Sequence, residues 1–296
     1  MCKGSKVLVR KPLFGPLPSV GSPVRSELKP FEIQDRLNTR LIGKTLVWNY
    51  EVDSTNDVAL GLASTGAPDG TVVLSESQRR GRGRMGRSWY SPPGEGIYLS
   101  VLLKPPLSPL KAYQIPMMAT VATVETLNDL FNLEVKIKWP NDLMLRNRKL
   151  GGILTELKAE RDRIQYVVVG IGINANMTQF SEELKPFVTS LALELGRSVE
   201  RVALVRALLR SLEKWYFLML EENSPGGSPG PKTPSLFETW RSLSCTVGNR
   251  VEVKTGEGII QGLATRIAPD GSLYVREESG KERHIVTGDV ALVVCR

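Results

Sequence analysis

Twelve residues, Asn223-Ser-Pro-Gly-Gly-Ser-Pro-Gly-Pro-Lys-Thr-Pro234, divide this chain. Proline fixes φ and lacks a backbone N–H, and glycine loses much freedom on ordering. A stretch with four prolines and three glycines therefore forms neither helix nor strand, and 223–235 is read as a linker. Before it, β-branched runs at 71–75, 97–103, 135–139, 152–157 and 166–173 alternate with a helical segment at 115–131. The clearest helix is 198–222. There Val202, Val205, Leu209, Leu212, Tyr216 and Met219 recur at three- and four-residue spacing, and Ser198 is its expected N-cap. After the linker, short strands at 250–254, 258–267, 272–277, 282–287 and 290–294 are separated by turn signals such as Pro269-Asp270-Gly271. The expected architecture is α+β: a domain of interleaved strands and helices over 41–222 and a small β-barrel over 236–296.

Residues 1–40 are read as a basic extension rich in Pro, Gly and Ser, ending in a possible helix at 31–41. The leader carries Lys3, Lys6, Arg10, Lys11 and Arg25 and no acid before Glu27. Disorder is the plain reading. An organellar transit peptide is the alternative, which Pro12, Pro16, Pro18 and Pro23 oppose by breaking any amphipathic helix. Three widely spaced cysteines form no Cys-x-x-Cys pair, which points to a reducing compartment, the cytoplasm, and against a zinc site or disulfide framework. His284 is the only histidine, so a Ser-His-Asp triad or His-ligated metal is not expected. No apolar run approaches the ~18 residues of a transmembrane helix.

The net charge of +8 admits nucleic acid, an acidic protein or a phosphorylated substrate as partner. Much of it lies in Arg79-Arg-Gly-Arg-Gly-Arg-Met-Gly-Arg87, which holds five arginines and three glycines and no acid. Glycines let backbone approach a ligand, and arginines supply charged forks for phosphate or carboxylate oxygens. A nucleic-acid arm is the competing reading, but interleaved aromatics for base stacking are missing. Asp53-Ser54-Thr55-Asn56 caps a helix beginning near Asp57 or recognises a ureido or amide ring, and both readings can hold at once because a helix N-terminus is polar and preorganised. Lys138-Trp-Pro-Asn-Asp142 is either a strand ending in a turn or a source of a Mg²⁺ carboxylate and a phosphate-binding amide. Lys149, beside Gly151 and Gly152, gains weight from this company as a group that neutralises developing charge. Val167–Asn176 reads as a buried strand with two close-packing glycines, and it lacks the third glycine of a dinucleotide fingerprint.

In these segments the chain resembles the biotin protein ligases. The match comprises Asp53-Ser-Thr-Asn56, Gln78 with Gly81-Arg-Gly-Arg-x-Gly-Arg-x-Trp89, Lys138-Trp-Pro-Asn-Asp142, Lys149-x-x-Gly152-Ile-Leu and Gly170-x-Gly-Ile-Asn174. The resemblance covers roughly 45–220 in order. It implies a class II synthetase-like, biotin/lipoate ligase mixed-sheet domain with a C-terminal SH3-like barrel. It also implies two steps, formation of biotinyl-5′-AMP from biotin and ATP and then transfer to a lysine of a biotin carboxyl carrier protein. By resemblance Ser54, Thr55, Asn56, Gln78, Gly81, Arg82, Gly83, Arg84, Lys149 and Gly152 contact biotin. Arg84, Arg87, Trp89, Lys138, Asn141, Asp142 and Asn174 hold the nucleotide, Asp142 with Mg²⁺. Lys149, Arg82 and Arg84 carry the chemistry. Met85 stands where many relatives have another arginine. The space before residue 41 is too short for the winged helix of the family's regulatory members, so a monofunctional ligase without specific DNA binding is expected. A lipoate or octanoate transferase or ligase on the same fold and a nucleic-acid-binding regulator are the alternatives.

Overall fold

The computed structural model describes residues 27–226 and 234–293. Residues 1–26 of the leader, most of the linker and the end of the last expected strand lie outside the described residues. In chain order the elements are α1 (Pro30–Gln34), β1 (Leu46–Val52), α2 (Thr55–Ser64), β2 (Val72–Gln78), β3 (Gly96–Leu103), α3 (Gln114–Phe131), β4 (Lys136–Lys138), β5 (Asp142–Leu145), β6 (Arg148–Ala159) and β7 (Ile164–Asn174). These are followed by α4 (Leu191–Leu195), α5 (Arg201–Glu222), α6 (Leu236–Leu243), β8 (Arg250–Thr255), β9 (Gly258–Ile267), β10 (Leu273–Arg276), β11 (Glu282–Ile285) and β12 (Asp289–Val293).

Seven strands form one mixed sheet in the order β1-β2-β3-β7-β6-β5-β4. β1 and β2 run parallel and every other neighbour antiparallel. Side chains alternate across a strand, so each strand divides its residues between two faces. Val72, Leu74, Leu99, Val101, Val167, Val169 and Ile171 join the large core, against which α3 and α5 pack. Val73, Leu102 and Val168 face the other way, under Ala59 and Ala63 of α2. The central strands are covered on both faces, which is why β3 reads as a nearly unbroken apolar run. The same alternation puts Ser100, Gly152, Leu154, Glu156, Gly170 and Gly172 on the α2 face.

Four expectations change. The long helix starts at Arg201 rather than near Ser198, and its N-terminal flank is Glu200 with no capping side chain. Asn176 explains the shift. Its Oδ1 accepts from Val199 N–H (2.8 Å) and its Nδ2 donates to Val199 O (3.0 Å), which holds that residue outside the helix. Second, the core reaches back into the expected extension, with Leu28, Ile33 and Leu37 buried. The Glu213 carboxylate on α5 accepts N–H bonds from Arg40, Leu41 and Ile42. Third, the possible helix at 31–41 is a single short α1 that ends at Gln34. Fourth, the segment after the linker opens not with the barrel but with α6. A reciprocal Ser235–Glu238 box caps this helix, and its Trp240 Nε1 donates to Thr120 Oγ1 on α3 at 3.0 Å.

The strands that follow form an antiparallel sheet of order β11-β10-β9-β8-β12. Val251, Val253, Ala264, Leu273, Val275 and Ile285 fill its inner face. This is the small all-β unit expected after the linker. It is seated on β4 and the turn after it. Ile137 O accepts from Cys245 N–H, Trp139 N–H donates to Thr246 Oγ1 (2.8 Å), and Trp139 Nε1 donates to Gly271 O (2.8 Å). No helix among the described residues is long and apolar enough to cross a membrane.

Candidate active site

A cavity of about 240 Å³ opens on the α2 face of the sheet. One end is polar. Ser54, Thr55 and Asn56 reach it from the start of α2, and Gln78 from the end of β2. Asp53-Ser-Thr-Asn56 does open a helix, since Ser54 is the N-terminal flank of α2, but its hydroxyl accepts no capping bond. Instead the Gln78 carboxamide oxygen accepts from Thr55 N–H at 2.9 Å, which fills the role of a cap and fixes the amide. Asn56 donates from Nδ2 to Glu156 Oε2 (2.6 Å) and accepts at Oδ1 from Ser100 Oγ (2.6 Å). Its Oδ1 lies where a Cβ on Gly170 would stand, so only glycine fits there.

The other end is ionic. Asp142 is almost completely buried between two lysines, with Lys149 Nζ at 2.6 Å from Oδ1 and Lys138 Nζ at 2.9 Å from Oδ2. Burial opposes its charge, yet Lys149 and then Lys138 outweigh that and hold the carboxyl below its usual value. Lys149 remains partly open to the cavity and stands 5.5 Å from the centroid of the Trp89 ring. Trp89 lies against Gly172, where a Cβ would come within 2.7 Å of the indole. Asn141 donates to Ile153 O and accepts from Arg84 Nη1 at 3.3 Å. Asn174 donates from Nδ2 to Thr189 O.

The arginine-rich loop folds over this cavity with its cations sorted among partners far away in the chain. Arg79 and Arg80 pair with Asp53 and lie off the cavity wall. Arg82 pairs with Asp57 and Glu156. Arg87 meets the barrel, with Nη1 and Nη2 each 2.8 Å from a carboxylate oxygen of Asp289. Arg84 alone of the five makes no ion pair with a carboxylate among the described residues. Burial lowers its pKa, against the pull of Asp289 and Asp142. Met85 forms the exposed tip in a left-handed conformation (φ 56°). Four of these five are thus paired with acids of the same chain, although all four remain exposed.

Of the residues anticipated from the sequence, the cavity wall brings together Ser54, Thr55, Asn56, Gln78, Arg82, Gly83, Arg84, Arg87, Trp89, Asn141, Asp142, Lys149, Gly152 and Asn174. Gly81 and Lys138 stand behind it. Gly81 closes the base of the loop, where its carbonyl accepts from Trp89 N–H and a Cβ would meet Trp89 O at 2.5 Å. Lys138 Nζ also donates to Val290 O of β12 at 3.0 Å. Tyr98, Phe180, Leu184 and Val188 also line the wall, though the sequence reading gave them no part in it, and so does Leu154, which closes a matched motif without an assigned role. The alternation along β3 and β6 could have indicated Tyr98 and Leu154. Nothing in the irregular segment 178–190 indicates the other three.

Residues 48–174 match the model of the biotin/lipoate A/B protein ligase family, and residues 246–293 match the biotin protein ligase C-terminal domain. The biotin–[acetyl-CoA-carboxylase] ligase of Mycobacterium tuberculosis is 33% identical over 279 residues, covering 90% of this chain and 97% of that protein. The chain belongs to the biotin protein ligase family. The bifunctional ligase/repressor BirA of Bacillus subtilis is likewise 33% identical, over 268 residues, covering 90% of this chain and 79% of that protein. The biotin protein ligase of Aquifex aeolicus, solved in complex with biotin and ATP, superposes with a TM-score of 0.68 at 28% identity, covering 84% of this chain and 98% of that one. Membership in the biotin protein ligase family makes this chain a ligase, with the family's catalytic fold and C-terminal antiparallel sheet.

Proposed function

We propose that the cavity activates biotin with ATP as biotinyl-5′-adenylate and passes the acyl group to a lysine of a biotin carboxyl carrier protein. The observation that carries this reading is a single cavity with a neutral hydrogen-bonding end at Thr55, Asn56 and Gln78 and a cationic end at Lys149 and Arg84. A cyclic urea with an acidic tail matches that polarity. In the first step a biotin carboxylate oxygen attacks the α-phosphorus of ATP, and the bond to pyrophosphate breaks. Two anions must meet, so Lys149 and Arg84 offset their repulsion and the charge that develops on the phosphoryl oxygens. In the second step the neutral amine of the carrier lysine attacks the acyl carbon. The acyl–oxygen bond breaks, AMP leaves, and the amine loses its proton to solvent. Arg82, Arg84 and Arg87 on the loop keep the acyl phosphate from water between the steps.

Mg²⁺ fits here in one form. No group of three or more metal-ligating side chains occurs among the described residues, and Asp142 is the one carboxylate on the cavity wall. That donor set suits an ion that keeps its waters and arrives on nucleotide phosphates, with Asp142, whose oxygens also face Lys149 and Lys138, as the one carboxylate that would hold it. Bound there, it would neutralise phosphate charge.

Transfer is tested by incubating the protein with Mg²⁺-ATP, biotin and a carrier domain, and reading the carrier's intact mass. The expected result is one biotinyl addition, lost when the acceptor lysine is replaced by arginine. No mass change, or modification that ignores the acceptor, would refute transfer to a specific lysine.

A further inference from the structure

Two acids that are not among the residues lining the cavity control groups that are. Glu156 lies on β6, two residues beyond Leu154 and on the same face, and Asp57 lies in the first turn of α2. Arg82 Nη1 is 2.6 Å from Asp57 Oδ1, and Nη2 is 3.2 Å from Glu156 Oε2. The same Glu156 oxygen accepts from Asn56 Nδ2 at 2.6 Å. An ionised carboxylate can only accept hydrogen bonds. Glu156 therefore decides which way round the Asn56 amide sits: nitrogen toward the carboxylate, oxygen toward Ser100.

The bonds continue across the polar end. Ser100 Oγ lies 2.8 Å from Thr55 Oγ1, Thr55 donates to Gln78 Oε1, Gln78 Nε2 donates to Ser91 Oγ, and Ser91 Oγ donates to Trp89 O. One polar chain thus runs from Arg82, early in the loop, across the cavity floor to Trp89 at the loop's end. We infer that Glu156 is a positioning residue that fixes the donor and acceptor pattern read by the substrate's ring, and that Asp57 is the loop's anchor through Arg82. A cyclic urea presents N–H donors and a carbonyl acceptor at fixed angles, so a flipped Asn56 amide would oppose like with like. This inference rests on the proposed use of biotin, and it adds the acids that aim the side chains and join ring recognition to loop closure.

The test compares wild type, Glu156→Gln and Asp57→Asn in biotin-dependent pyrophosphate release, with unfolding temperatures recorded with and without biotin. Glutamine keeps the size of Glu156 but can offer Asn56 either an oxygen or an N–H. Glu156→Gln is expected to raise the KM for biotin about tenfold, the equivalent of one charge-assisted hydrogen bond, while the KM for ATP moves less than about twofold. The unfolding temperature without biotin is expected to stay at the wild-type value, and the rise on adding biotin to shrink. Asp57→Asn is expected to speed the escape of adenylate into solution in a single turnover. An unchanged biotin KM in Glu156→Gln would overturn the positioning role. Equal rises in both KM values with a lower ligand-free unfolding temperature would overturn it too, by showing a merely structural part. Wild-type adenylate retention in Asp57→Asn would overturn the anchor. Failure of the wild type to form biotinyl-adenylate would instead sink the ligase reading and this inference with it.

Discussion

Asp142 sits with Lys149 at 2.6 Å and Lys138 at 2.9 Å, and both its oxygens are engaged. Its folded pKa is depressed below the ordinary 3.8. A depressed carboxyl stabilises the fold fully above its unfolded pKa, and that stabilisation is lost as pH falls through the folded value. Asp142→Asn is therefore expected to be less stable than wild type near neutrality, and the gap is expected to narrow in denaturant titrations as pH falls through the depressed folded value. A gap that persisted in acid would remove the ionic cause. Lys149→Ala is expected to slow adenylate formation by about 10²–10³-fold, the scale of one lost electrostatic group at a developing charge. Lys138 still neutralises Asp142 in that variant, so the fold is expected to persist by circular dichroism. Near-normal adenylation would refute the role given to Lys149. The arginines show what a sequence makes legible at this scale. Their crowding between Arg79 and Arg87 is visible in the chain, but their partners are not. Arg87 meets Asp289 across 202 positions and Arg82 meets Glu156 across 74, and no local pattern encodes such pairs. Glu156 itself reads as an ordinary strand acid.

Elements were legible where burial leaves a strong period. β3 and β7, covered on both faces, appear as apolar runs, and α5 as a three- and four-residue repeat. β1 has six half-buried or exposed residues ahead of Val52 and lacks such a run. The start of α5 is set by Asn176, whose influence on Val199 is a tertiary contact that overrides the local cap signal of Ser198. α6 is similar. Its capping box is plain in Ser235-x-x-Glu238, but tertiary contacts, Trp240 with Thr120 and Leu236 N–H with the Glu222 carboxylate, assign it to the catalytic body rather than the barrel. Trp240→Ala removes a fully buried side chain and is expected to cost about 3–5 kcal/mol of stability in equilibrium unfolding. A loss under about 1 kcal/mol would show that α6 is only loosely docked.

At the scale of the whole molecule, the barrel touches the chemistry at two points. Asp289 holds Arg87, and Val290 O accepts from Lys138. The C-terminal unit is therefore part of the site's ionic end rather than a tethered neighbour. The surplus of +8 supplies a long-range field beyond these paired charges. A carrier with an acidic face would be steered by it, and transfer below saturation is expected to slow as ionic strength rises toward about 0.5 M. A transfer rate indifferent to salt would count against steering and leave the chemistry untouched. The central claim is the match between one cavity and one acid. It is tested most directly by incubating the purified protein with Mg²⁺-ATP and either biotin or lipoate, and weighing the acyl-adenylate by mass spectrometry. The account predicts biotinyl-AMP with biotin and no adenylate with lipoate. Lipoyl-AMP, or no adenylate from folded protein with either acid, would contradict it.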